Sequence, residues 1–145
     1  MTSLKYARVE REQRYLLDAL PDLAGARVLR ITDRYLDGTR MRLRLVEEDG
    51  RPPVHKLGQK IRLDRVSTNA HTTMYLSPEE HAGLAYLPGH VLRKTRHLLD
   101  GWAFDVHESG LLLAESESAT KPWFSVVRDV TDEEAFSGGC LASLG

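Results

Sequence analysis

Apolar and polar residues alternate with a period of two along most of this chain. In Arg40-Met41-Arg42-Leu43-Arg44-Leu45 the arginines fall on one face and Met41, Leu43 and Leu45 on the other, the signature of a β-strand, in which successive side chains point to opposite sides. The same reading predicts about eight strands, near residues 5–17, 27–36, 39–48, 54–64, 70–76, 90–98, 101–107 and 110–118, each bounded by turn-forming residues. Between the fifth and sixth, Ser77-Pro78-Glu79-Glu80 supplies an N-cap, a proline for the first helical position and acids for the first turn, predicting a helix through about Leu87. A second helix start stands at Thr131-Asp132-Glu133-Glu134, with Gly138-Gly139 expected to stop it early. With no internal repeat or linker, the 145 residues predict one domain over 1–145, mainly β with a few helices.

The charges within those strands sharpen the picture. Glu10, Glu12 and Arg14 share one face of the first strand; Arg40, Arg42 and Arg44 share a face of the third; Lys56 and Lys60 do so in the fourth. Lys94 with Arg96, and Glu115 with Glu117, repeat the pattern later in the chain. Solvated strand faces usually mix both signs with Thr, Ser and Gln, whereas these combs are nearly pure in sign. Like charges at this spacing repel, so an arginine comb is costly unless anions or opposing acids lie nearby. If the combs converge, the cations suit phosphoryl oxygens, with the arginine fork giving paired charge-assisted hydrogen bonds, and the carboxylates suit Mg²⁺ or Mn²⁺.

Overall composition neither adds to this nor competes with it. Lys and Arg number 20 against 21 Asp and Glu, so no global charge draws the chain to nucleic acid or an anionic membrane. The single cysteine, Cys140, excludes an intrachain disulfide framework, and the amino-terminal stretch lacks a signal-peptide apolar core; a cytoplasmic location is expected. No apolar run approaches the roughly 18 residues of a membrane span. The six histidines (His55, His71, His81, His90, His97, His107) show no zinc-type pairing with cysteine, although His71 and His107 fall within charged strands. The glycine pairs lack the Gly-Lys-Ser/Thr ending of a P-loop, and Cys140 has no histidine partner for thiol catalysis.

A wider set of residues carries a resemblance. Glu10-Arg11-Glu12-Gln13-Arg14-Tyr15-Leu16 resembles the Glu-x-Glu-x-Lys opening of the CYTH family, the triphosphate tunnel metalloenzymes, with Arg14 in the lysine position. Asp33-Arg34-Tyr35-Leu36, Met41-Arg42-Leu43-Arg44, Lys60, Lys94-Thr95-Arg96, Trp102-Ala103-Phe104-Asp105, Ala114-Glu115-Ser116-Glu117 and Pro122-Trp123-Phe124 before Val130-Thr131 follow in the family's order. The resemblance spans nearly the whole chain. It implies an eight-stranded antiparallel closed β-barrel, a tunnel with outer helices, acting on a triphosphate with Mg²⁺ or Mn²⁺. By position, Glu10, Glu12, Glu115 and Glu117 would be catalytic metal ligands, and Arg14, Arg42, Arg44, Lys60, Lys94 and Arg96 would grip phosphates. Asp105, Arg40 and Lys56 are further candidates.

The chain also departs from the family pattern. Where relatives commonly carry Glu-x-Glu before the Ser77 helix, it reads His71-Thr72-Thr73, so two interior carboxylates are missing; a later Arg-Tyr and Asn are replaced by Ala135-Phe136-Ser137-Gly138. The leading expectation is metal-dependent hydrolysis of a triphosphate, with inorganic tripolyphosphate favoured over a nucleotide because no base-reading motif lies near the combs. Adenylyl cyclase-type or other organic-triphosphate processing is one alternative, and a non-catalytic phosphoanion-binding module, motivated by the absent acids, is another. The expected partner is a small triphosphate or polyphosphate, without nucleic acid or membrane; a homodimer is compatible with the sequence.

Overall fold

The computed structural model describes residues 4–144; Met1–Ser3 and Gly145, at the two ends of the expected domain, lie outside the described residues. Ten strands form one antiparallel sheet: β1 (Arg8–Arg11), β2 (Gln13–Leu17), β3 (Arg27–Leu36), β4 (Met41–Glu47), β5 (Val54–Arg62), β6 (Thr68–Leu76), β7 (Gly89–Leu99), β8 (Trp102–His107), β9 (Leu112–Ser116) and β10 (Arg128–Asp129). Their order across the sheet is β1-β6-β5-β4-β3-β7-β8-β9-β2-β10.

This overturns the expected eight-stranded closed barrel. The hydrogen-bond ladder is open, with β1 and β10 as its edges. The cause lies in the first predicted strand, 5–17, which is two strands. At Glu12 the chain stops pairing with β6 and starts pairing with β9, so the ladder is interrupted there. Because one residue separates β1 from β2, their facing ends lie no more than about 8 Å apart, and the sheet must bend round on itself. Its concave face gathers side chains from most strands.

Turn chemistry holds the register. Asp100 and Gly101, between β7 and β8, have φ of 52° and 79°, the paired positive values of a tight hairpin whose twist matches the strands. The outer face of β2, β8 and β9 is apolar: Leu17, Trp102, Phe104 and Ala114 are buried together, with Tyr15, Leu99 and Leu112 against them. The segment before β10 covers them, and the Phe124 ring meets those of Trp102 and Phe104 edge-on at 4.9 Å. Placing the apolar set outside leaves the charged set on the concave side.

Helix α1 (Pro78–Leu84) starts at Ser77 with the expected cap: the Ser77 hydroxyl accepts from Glu80 N–H and the Glu80 carboxylate accepts from Ser77 N–H. The second helix differs from expectation. Glu134–Phe136 form a single 3₁₀ turn, and Gly138 opens α2 (Gly138–Ser143) rather than ending a helix. A Cβ at Gly138 would collide with the Tyr35 hydroxyl, so glycine is required by close approach of α2 to β3. Among the described residues no helix is long and apolar enough to cross a membrane.

Candidate functional site

The concave face encloses a cavity of about 160 Å³ that opens into an outer chamber of about 440 Å³. Six cationic side chains line the inner cavity: Arg14 from β2, Arg42 and Arg44 from β4, Lys60 from β5, and Lys94 and Arg96 from β7. Glu10, Glu12, Glu115 and Glu117 line it too, so ten side chains from distant parts of the chain meet in one place. Alternation within each strand puts them there, and the bend of the sheet brings the strands together.

Two buried aspartates stand behind the cations. Asp33 on β3, fully buried, accepts from Arg44 Nε at 2.7 Å and Nη2 at 2.8 Å, and Arg42 Nε lies 3.8 Å away. Burial alone would raise this carboxyl, but the Arg44 hydrogen bonds hold it down to about 2. Asp105, equally buried, accepts from Arg96 Nε and Nη2 at 2.8 Å each, and Lys94 Nζ lies 2.9 Å from it as an ion pair. Its burial is likewise outweighed, by Lys94 and then Arg96, and it stays ionised. Each aspartate occupies two of an arginine's five donors and leaves the others to face the cavity. Arg42 goes further, since its buried Nε has no hydrogen-bond partner.

The four glutamates fall into two groups. Glu12 and Glu115 touch: Glu115 accepts from Arg14 Nε at 3.0 Å and lies 3.7 Å from Arg96 Nη2. Burial and the neighbouring Glu115 charge push Glu12 up to about 8, whereas Glu115, for all its burial, is held well below the ordinary range by Arg14 and Glu12. The two carboxyls are therefore pushed in opposite directions, Glu12 toward its neutral form and Glu115 toward its charged one. Glu10 and Glu117 are instead joined by Arg8, whose Nη2 lies 3.0 Å from an oxygen of each. Glu10 also contacts His71 Nδ1 at 2.9 Å and Lys60 Nζ at 3.9 Å; the His71 hydrogen bond above all lowers it to about 2, against its partial burial. Glu117 lies just beyond β9 and is exposed.

Among the described residues no three carboxylate, imidazole or thiolate groups converge on a metal position. A hard divalent cation on a phosphate substrate needs less, commonly one or two carboxylates plus water and phosphate oxygens. The Glu12–Glu115 pair offers two carboxylates side by side, a donor set that could hold such a cation. Glu10 and Glu117, the other two expected ligands, are held by Arg8 instead of touching one another.

Three of the sequence-based candidates stand apart. Arg40 precedes β4, so the comb has two arginines in the strand; Arg40 is exposed and lines only the outer chamber. Lys56 faces the same side as Arg44, its partner in register, but its ammonium sits 5.5 Å from the centre of the Tyr75 ring. Asp105 supports cations from behind. The residues to which the sequence assigned no role are Asp33, present only as a landmark of the resemblance, which register sets opposite Arg44, and Arg8, which shares a face with Glu10 two residues on. His71 takes one of the positions of the missing acids, stacked over Gly58 of β5, with the Thr73 hydroxyl 3.4 Å from Nε2.

No family model matches the chain, and no curated protein matches it. Solved structures do. One described as the hypothetical protein NE1496 aligns with a TM-score of 0.57 at 23% identity, covering 92% of this chain and 97% of that one. Another, described as the inorganic triphosphatase NE1496, aligns with a TM-score of 0.55 at 24% identity over the same shares. At such identities the likeness is one of fold, and it extends over nearly the full length of both chains.

Proposed function

We propose that this protein hydrolyses a triphosphate, inorganic tripolyphosphate in the first place, with Mg²⁺ or Mn²⁺, and that it is a distant relative of the CYTH enzymes its motifs resemble. The observation that carries the reading is the single cavity lined by six cations, with a buried Arg42 Nε that lacks an acceptor. A chain of phosphoryl groups supplies oxygens along its length, which suits cations spread over β2, β4, β5 and β7 better than one small anion would. The structural likeness to a protein described as an inorganic triphosphatase points the same way.

Arg14, Arg42, Arg44 and Arg96 present fork-shaped donors and Lys60 and Lys94 compact charges, all facing the space the phosphates would fill. Asp33 and Asp105 fix Arg44, Arg96 and Lys94 before substrate arrives, so little reorganisation is needed as charge develops on the transferred group. Glu12 and Glu115 would hold the divalent cation. A divalent cation held by those two carboxylates would supply charge neutralisation for the phosphates and a more acidic water.

A second reading, a phosphoanion-binding module without turnover, is favoured by the His71–Glu10 contact and the Arg8 clip, which occupy two of the four glutamates. Phosphate release separates the two. Wild-type protein with Mg²⁺ or Mn²⁺ is expected to release phosphate from tripolyphosphate faster than from ATP, and Glu115→Gln to lose that activity while remaining folded. Binding of tripolyphosphate with no phosphate release in either metal would replace hydrolysis by the binding module.

A further inference from the structure

His107 ends β8 with only 4% of its surface exposed, yet neither ring nitrogen has a hydrogen-bond partner. Buried polar side chains are nearly always satisfied, so two open positions on one ring call for an explanation. Alternation along β8 places His107 on the concave face with Asp105, and register sets it directly opposite Lys94. It lines the inner cavity and not the outer chamber. The charged groups around it are Lys94 and Arg96 of β7, Asp105 of its own strand and Glu115 of β9. None of them completes the ring: Asp105 is engaged by Arg96 and Lys94, and Glu115 by Arg14. Burial first, and then the Lys94 charge, push the imidazole down to about 4, so it is neutral near pH 7, with one N–H to give and one lone pair to accept.

We propose that His107 is a substrate-binding residue: its N–H donates to an oxygen of the phosphoryl group seated at the Lys94 end of the cavity. The inference rests on the triphosphate reading and adds a contact that reading does not contain. A neutral donor contributes direction without further charge. Beside the Lys94 ammonium, whose attraction to an anion depends little on angle, the imidazole fixes how the terminal tetrahedral group is turned. An apolar ring would fill the same space without leaving buried polar atoms unpaired, and that contrast supplies the test.

Tripolyphosphate is titrated calorimetrically, in EDTA to suppress metal-dependent turnover, into wild type, His107→Phe and His107→Asn. His107→Phe is expected to weaken binding by about tenfold, and His107→Asn, which keeps an N–H donor, to retain more of the affinity. In the free protein His107→Phe should melt at or above the wild-type temperature, whereas a purely structural histidine would make it melt lower. In wild type labelled with ¹⁵N-histidine, the His107 ring resonances should move on saturation with tripolyphosphate. Equal affinity of wild type and His107→Phe overturns the inference and leaves the triphosphate reading standing; absence of tripolyphosphate binding to wild type overturns both. If His107→Phe fails to fold, the labelled ring decides, and unmoved resonances in saturated wild type overturn the proposal.

Discussion

At the scale of single residues, Glu12 makes the free protein sensitive to pH. Its carboxyl, ordinarily near 4.5, is raised to about 8 by burial and by Glu115. Between those values the folded protein keeps a proton that the unfolded chain has lost, so the stability this group contributes is present below pH 4.5 and lost as pH rises through 8. His107 runs the other way: lowered from 6.5 to about 4, it makes the protein more stable as pH rises toward 6.5 and has no effect above that. The interval from 6.5 to 8 therefore separates Glu12 from His107. Melting temperatures across it should fall for wild type and stay nearly level for Glu12→Gln; an equal fall in both would mean that Glu12 ionises normally.

The two arginines of β4 have opposite consequences when removed, although the sequence presents them as equivalents. Arg44 is the main partner of the fully buried Asp33, so Arg44→Met leaves that carboxylate without a hydrogen-bonded cation, with only the more distant Arg42 and Lys94 charges, and should cost about 3 kcal/mol or more in urea unfolding. A loss below about 1 kcal/mol would show that the pair is solvated. Arg42 contacts Asp33 only at 3.8 Å and has an orphaned Nε, so its removal leaves little unpaired.

At the scale of elements, period-two alternation made the concave face readable: the ten principal charged candidates line the same cavity, eight of them from within strands that keep their phase and Glu12 and Glu117 from just outside strand ends. What alternation lacks is knowledge of partners. The division of 5–17 at Glu12 follows from β1 pairing with β6 and β2 with β9, contacts between segments far apart in the chain. Asp33 stood in a landmark of the resemblance without a role, since its partnership with Arg44 depends on the register of β3 against β4. Gly138-Gly139 suits either end of a helix, and the approach of Tyr35, from β3, decides for the start. Gly138→Ala should accordingly destabilise the protein by about 1–3 kcal/mol through overpacking. A double-mutant cycle with Tyr35→Leu should show the two changes to be strongly coupled, and additive losses would place the strain elsewhere.

At the scale of the whole molecule, a net charge of −1 conceals a strong internal separation of charge. The sheet puts apolar rings on one side of β2, β8 and β9 and ionised groups on the other, and its bend turns the ionised side inward. Asp33 and Asp105 offset part of the positive charge that Arg44, Lys94 and Arg96 bring to the cavity. The most direct measurement is calorimetric titration of tripolyphosphate into wild type and Arg42→Met, alongside melting curves of both free proteins. Wild type should bind and Arg42→Met should bind about tenfold more weakly or worse, while the two free proteins melt at nearly the same temperature. Identical isotherms, or no binding to wild type, would contradict the assignment of this cavity to a triphosphate.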